Sequence, residues 1–270
     1  MIPEIPKLRY REEGNFFLIA GPCVVESENL IMETAKSLVQ MCDELHIPLI
    51  FKSSFTKANR SSVNSFTGIE TKTALEILKN VGRSFSIPVI TDVHSEQDVE
   101  LVSESVDAIQ IPAFLCRQTS LLLAAAKSGK AVNVKKGQFL SPDSMKFVAE
   151  KLTHGGCSQI MLTERGTTFG YSDLVVDFRG IKIMQQFMHP IVMDVTHSLQ
   201  QPNQSSGVTG GQPEMIETIA KAAIAVGCDG LFIETHPDPK NALSDGANML
   251  RLNSMKSLME KLIKIRKAIL

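Results

Sequence analysis

Eight times along the chain a short, almost wholly apolar run gives way to a longer segment with apolar residues three and four apart, and this recurrence restricts the fold more than any other feature. FFLIAGPCVV (16–25) leads into ENLIMETAKSLVQMCDEL (28–45), and PLIFKSSF (48–55) leads through a polar loop into TKTALEILKNVGRSF (71–85). PVITDVH (88–94) precedes SEQDVELVSES, DAIQIPAF (107–114) precedes QTSLLLAAAKSG, and AVNVKKGQF (131–139) precedes SPDSMKFVAEKLTHGG, whose Ser-Pro start and Gly-Gly end are helix-boundary residues. QIMLTERG (159–166) has its helix within 180–188, after a loop in which 174–178 can add a short irregular strand. PIVMDVTHS (190–198) and DGLFIETH (229–236) complete the series, with MIETIAKAAIAVG between them and SMKSLMEKLIKIRKAIL at the end.

Strands that do not alternate apolar with polar are buried on both faces, as parallel strands covered by helices are. Eight such units in 270 residues predict an α/β fold, a closed (β/α)8 TIM barrel forming one catalytic domain over 1–270 with a short N-terminal extension. A doubly wound open sheet is the alternative, but its G-x-G-x-x-G phosphate turn is missing after the first strand.

Composition narrows the partners. With 28 Lys and Arg against 29 Asp and Glu, the chain has no net field for nucleic acid or a membrane surface, so any anion binding is local. No apolar stretch approaches the roughly 20 residues of a membrane span, and MIPEIPKLRYREEGN lacks the marks of a secretory signal, so a cytoplasmic location is expected. Cys23, Cys42, Cys116, Cys157 and Cys228 contain no Cys-x-x-Cys pair and read as small buried hydrophobes, Cys23 excepted.

In a barrel the active site lies at the C-terminal strand ends, so the residues ending each strand form a ring. Closure makes the first, seventh and eighth strands neighbours, which brings Cys23, His197 and Glu234 onto one arc, with Asp245 in the loop beyond. A thiol, an imidazole and two carboxylates form a ligand set for a divalent transition ion; zinc, ferrous iron and manganese all remain open. Taken singly, Cys23 reads as core, and Glu234 or Asp245 as a cap or a lysine's partner. The opposite arc carries Lys52, Lys57 and Arg60, then Lys135, Lys136 and Arg165, with no evident acidic neighbour except Glu164, so phosphate or carboxylate ligands account for it. Lys136 has a second reading as a solvated neighbour of Lys135. Between the arcs, Asp92, His94 and Gln110 can bind hydroxyls or move protons, although His94 also reads as structural. His236 is close enough to Glu234 to support it from behind.

Taken together, GPCVVES, FKSSFTKANRSS, TDVH, IQIPAFLCRQT, NVKKGQF, TERGTTFGY, DVTHSLQ and FIETHPDP with SDG closely resemble the 3-deoxy-D-manno-octulosonate 8-phosphate synthase family, in order and over nearly the whole chain. The resemblance implies a (β/α)8 homotetramer that condenses phosphoenolpyruvate with arabinose 5-phosphate and releases inorganic phosphate, in lipopolysaccharide biosynthesis. It implies that Lys52, Lys57, Lys135 and Arg165, with the backbone near Ala113, hold phosphoenolpyruvate, and that Asn59, Arg60 and Ser61 hold the sugar phosphate. Arg117 would reach a neighbouring subunit's site. Members carry Cys or Asn at the first ligand position, according to whether they need a metal; Cys23 with His197, Glu234 and Asp245 implies the metal-dependent class. Proton movement falls to His197 and Asp92, and a Schiff base on Lys52 is an alternative. The related synthase of aromatic biosynthesis, which uses erythrose 4-phosphate, resembles a KPRTS-type motif where this chain has KANRSS. An inactive sugar-phosphate-binding barrel is the non-enzymatic alternative.

Overall fold

The structure is a computed structural model that describes residues 1–58, 65–202, 204 and 209–270. Among these residues eight parallel strands close on themselves: β1 (Phe17–Gly21), β2 (Leu49–Lys52), β3 (Val89–Asp92), β4 (Ala108–Ile111), β5 (Ala131–Lys135), β6 (Ile160–Glu164), β7 (Ile191–Asp194) and β8 (Gly230–His236). Each pairs with the next in sequence, and β8 returns to β1 with Phe17 opposite Gly230 and Gly21 opposite Glu234. The closed barrel is thus present and the open sheet is excluded. The strands are shorter than the apolar runs, whose tails continue as buried loops over the barrel mouth.

Helices α1 (Glu28–Leu45), α2 (Thr71–Ser84), α3 (Glu96–Val102), α4 (Thr119–Lys127), α5 (Met145–His154), α6 (Arg179–Gln185), α7 (Ile216–Val226) and α8 (Met255–Ile269) follow their strands in order. Side chains satisfy several of the backbone N–H groups orphaned at their starts: Ser27 accepts from Leu30 N, Glu70 from Lys72 N and Thr73 N, and Ser95 with Asp98 forms a reciprocal capping box. An antiparallel ribbon, Thr167–Phe169 with Asp173–Val175, fills part of the expected irregular segment after β6.

Two cores result from the period-two alternation of each strand. Outward residues such as Leu18, Phe51, Val89, Ile109, Val132 and Met193 pack beneath the helices. Inward residues Phe17, Ile19, Ile50, Ile90, Met161, Val192 and Phe232 fill the barrel itself. The N-terminal extension is part of that interior rather than a polar tail: Ile5 and Leu8 are buried against it, and the main-chain amide of Glu4 donates to Gln159 Oε1 (2.9 Å) at the foot of β6.

Candidate active site

Along every strand but β1 the next inward position is polar. Ile50 is followed by Lys52, Ile90 by Asp92, Ala108 by Gln110, Ala131 by Asn133 and Lys135, Val192 by Asp194, and Phe232 by Glu234, all of them buried. The barrel interior therefore changes from oil to charge at its C-terminal end, where a cavity of about 510 Å³ opens. Lys52, Lys57, Asp92, His94, Ala113, Lys135, Arg165, His197, Glu234 and Asp245 line it, which unites most of the residues expected at the ring. Cys23, Gln110 and Arg117 do not line it, and Asn59, Arg60 and Ser61 lie outside the described residues.

The lysines have acidic partners after all, contributed by other strands. Lys52 Nζ lies 3.1 Å from Asp92 Oδ2 and 3.3 Å from Glu234 Oε1, and donates to Ser54 Oγ (2.8 Å) and the Cys23 carbonyl (3.4 Å). Lys57 stands 3.9 Å from the same Glu234 oxygen. Lys135 donates to Asp194 Oδ2 (2.7 Å) and sits 3.7 Å above the Phe232 ring centre. Ser54 donates to Asp92, whose other oxygen accepts from Gln110 Nε2 (2.6 Å). Gln110 accepts in turn from Asn133, and Asn133 from Thr163, so its amide is used beneath the cavity to orient Asp92.

Desolvation opposes charge on both central carboxylates, but cations win. Burial works against Asp92, yet the ammonium groups of Lys52, Lys57 and Lys135 hold it well below the usual carboxylate range. Glu234, also buried, is held at about 2 by His197, Lys52 and Lys57. Burial prevails for Lys135, which is lowered despite Asp194, and it lowers His94 as well.

Cys23 is placed by continued parallel pairing beyond the ladder, Ser54 N donating to Cys23 O (3.2 Å) and Val25 N to Ser54 O (2.9 Å). Gly21 is required just before it, because a β-carbon there would overlap the Lys52 carbonyl oxygen. The Cys23 sulfur, a Glu234 oxygen and an Asp245 oxygen all lie within 4.8 Å of one another. His197 stands beside this group with Nε2 at 3.5 Å from Glu234 Oε2, while Nδ1 faces Asp194 Oδ2 at 2.8 Å. That is the arrangement in which a carboxylate orients a ligating imidazole. Burial, together with Glu234 and Asp245, pushes the Cys23 thiol well above its ordinary range. Glu234 Oε2 is buried without a hydrogen bond among the described residues. A divalent cation would satisfy that oxygen and draw the proton from the thiol, so the donor set fits a metal.

On the other side Arg165 is 5% exposed; Nη2 donates to Gln200 Oε1 (2.7 Å), and Nη1 is buried with no hydrogen-bond partner among the described residues. Lys136 contradicts both readings made of it. It is neither solvated nor on the cationic arc, but fully buried outside the barrel wall beside Glu164. Arg117 is exposed, away from this cavity. His236 is buried, accepts from Asp238 N (2.9 Å), and lies 3.9 Å from Glu26, whose other oxygen accepts from Leu243 N in the loop carrying Asp245.

Asp194, Ser54, Ser244 and Asn133 escaped the sequence reading. For Asp194 a signal existed: it lies two residues past Val192, on the same inward face, and three before His197, whose main-chain N–H it accepts at 2.8 Å. Ser244, 3.0 Å from the Cys23 sulfur, is 221 residues away and had none.

Residues 9–270 match the family model described as the DAHP synthetase I family. Proteins named 2-dehydro-3-deoxyphosphooctonate aldolase are similar over nearly full length. That of Cyanothece sp. is 48% identical over 264 residues, covering 98% of this chain and 97% of the relative. That of Legionella pneumophila is 53% identical over 246 residues (91% and 90%), and that of Agrobacterium fabrum 51% over 257 residues (95% and 91%).

Proposed function

The chain belongs to the DAHP synthetase I family, and from that premise we propose that it condenses phosphoenolpyruvate with D-arabinose 5-phosphate and water, giving 3-deoxy-D-manno-octulosonate 8-phosphate and inorganic phosphate. It is an aldol-type condensing transferase of Kdo biosynthesis. Erythrose 4-phosphate is not favoured as the sugar, since these relatives share the phosphooctonate name. The observation that best supports the reading is the Arg165 nitrogen left without a hydrogen bond among the described residues, buried in a cavity that Lys57 and Lys135 also line. The oxygens of a small dianion complete such a guanidinium.

In this reaction C3 of phosphoenolpyruvate attacks the aldehyde carbon, water adds to C2, and the hemiketal loses phosphate by C–O cleavage. Lys52, Lys57, Lys135 and Arg165 hold the phosphate and carboxylate, with the backbone near Ala113, and stabilise the charge that develops there. The assignment of Asn59, Arg60 and Ser61 to the sugar phosphate rests on resemblance alone. Lys52 donates to Ser54 and the Cys23 carbonyl and sits between two carboxylates, contacts that suit an ammonium rather than the free amine of a Schiff base. Cys23, His197, Glu234 and Asp245 would hold a divalent ion, zinc, ferrous iron or manganese, which when bound supplies positive charge to orient or polarise the aldehyde or a water. A single imidazole nitrogen cannot be ligand and base together, so His197 Nε2 serves as ligand and proton movement falls to Asp92 through Ser54.

The remaining expectations belong with this reading. Exposed Arg117, with exposed Phe114 nearby, suits a homotetramer in which one copy reaches a neighbour's site. No described helix is long and apolar enough to cross a membrane. The balanced charge, 28 Lys and Arg against 29 Asp and Glu, supports a role without nucleic-acid partners, and a cytoplasmic location is proposed with it.

The test is phosphate release from phosphoenolpyruvate across a panel of sugar phosphates, with metal analysis, repeated after strong chelation. Preference for arabinose 5-phosphate, about one divalent ion per chain and activity lost with the ion are expected. Preference for erythrose 4-phosphate overturns the substrate, binding without turnover points to an inactive barrel, and full activity in the metal-free protein removes the ion.

A further inference from the structure

Lys136 and Glu164 form a buried charged pair that the chemistry above does not use. Strand parity turns both outward, away from the cavity, while Lys135 and Arg165 turn in. The Lys136 ammonium lies 3.3 Å from Glu164 Oε1 and donates to Leu140 O (3.2 Å), Gly166 O (3.2 Å), Gly137 O (3.4 Å) and Thr167 Oγ1 (3.3 Å). It thereby joins the loop after β5 to the loop after β6. Glu164 Oε1 also accepts from the main-chain amides of Arg165 (3.0 Å) and Gly166 (2.7 Å). The same carboxylate oxygen thus fixes both peptide groups flanking the Arg165 α-carbon. Gly166, at φ +86, turns the chain sharply at that point.

A buried ion pair contributes little net stability compared with apolar residues of similar size, because desolvation offsets its attraction. Geometry is the better account of this one. Among the described residues Arg165 has one side-chain hydrogen bond, to Gln200, and Nη1 has none, so the direction of its guanidinium depends on the backbone that Glu164 holds.

We propose that Lys136 and Glu164 are positioning residues for the phosphoenolpyruvate subsite, acting through the backbone of Arg165 and touching no substrate. This rests on the function assigned above. It separates the two substrates: the anion held by Arg165 should depend on the pair, and the sugar phosphate should not.

The experiment is a double-mutant cycle on the metal-loaded protein, with phosphoenolpyruvate affinity by calorimetry and KM for both substrates. Glu164→Gln keeps the shape but weakens the hold on both amides; phosphoenolpyruvate affinity should fall about tenfold, with KM for arabinose 5-phosphate nearly unchanged. In an Arg165→Ala background the same change should cost less than about twofold, because the group it positions is gone. Thr167→Val, which removes one acceptor of the ammonium and leaves the pair intact, should act in the same direction more weakly, and it stands in should Glu164→Gln not fold. Losses that add in the double variant, or that fall equally on both substrates, overturn the inference. A wild-type protein that does not bind phosphoenolpyruvate overturns the functional reading and this inference with it; normal wild-type binding with additive losses overturns the inference alone.

Discussion

The lower and upper halves of the barrel interior are built on the same strands with the same alternation, yet they do opposite things. Ile50, Ile90, Val192 and Phe232 fill the lower half by dispersion and exclusion of water. Two residues further along the same strands, about 7 Å away, Lys52, Asp92, Asp194 and Glu234 are equally buried and charged. The lower half tolerates any shape-matched apolar filling. The upper half is stable only as a set, since each ion needs the others to offset its desolvation. Such a set is already organised for charge before a substrate arrives, which is the condition for electrostatic stabilisation of a transition state.

Lys52 is where that contrast is easiest to break. If the upper layer were merely core, Lys52→Met would be neutral or stabilising, as apolar replacement of a whole buried charge cluster often is. Removing only this cation leaves Asp92 and Glu234 to share the more distant Lys57, at 4.0 and 3.9 Å, so a loss of about 3–5 kcal/mol is expected by urea unfolding. Activity should fall by at least about 10²-fold, read as phosphate release. A variant as stable as the wild type would mean that the two carboxylates take up protons at little cost, and the set is not interdependent.

A smaller effect sharpens the same point through pH. Burial works against the Asp92 carboxylate and its lysine neighbours more than offset it, so its folded value lies well below the ordinary one. A depressed acid contributes stability that is fully present above its unfolded value, near 4, and is lost as pH falls through the folded value. Stability should therefore decline as pH is lowered below about 4. In Asp92→Asn that part of the decline should be missing while the amide still accepts from Gln110. Identical slopes in the two proteins would show that Asp92 is not held ionised by the lysines.

How much of this the sequence discloses follows from range. The eight units are local patterns, and the apolar runs state their own burial, so strands, helices and closure are all legible. Ring membership is legible too, because the strand ends name Lys52, Asp92, Lys135, Arg165, His197 and Glu234. The pairing among them is not: Glu234 lies 182 residues from Lys52, and Asp194 59 from Lys135, so the cationic arc looks unpartnered until the barrel closes. For Lys136 the strand pattern gives the direction but not the burial. Alternation from Ala131 and Asn133 puts Lys135 inward and Lys136 outward, but an outward lysine suggests solvent, and only the loops folded over it make a buried cage of carbonyls.

The smallest expected effect lies in the lower half and tests whether the two layers are separable at all. Ile90 is fully buried in the barrel interior, directly preceding Asp92 on the inward face of β3. Ile90→Val removes one methylene from a packed site, and the lost transfer and contact energy should cost about 1 kcal/mol in urea unfolding. Because Asp92 is positioned by a chain of hydrogen bonds from neutral side chains, Thr163 through Asn133 and Gln110, a void beneath it should not move it. Hence kcat and both KM values should stay within about twofold of wild type. A fall in kcat beyond the stability change would show that the charged layer takes its geometry from the packing below it, and that the hydrogen-bonded chain alone does not set the site.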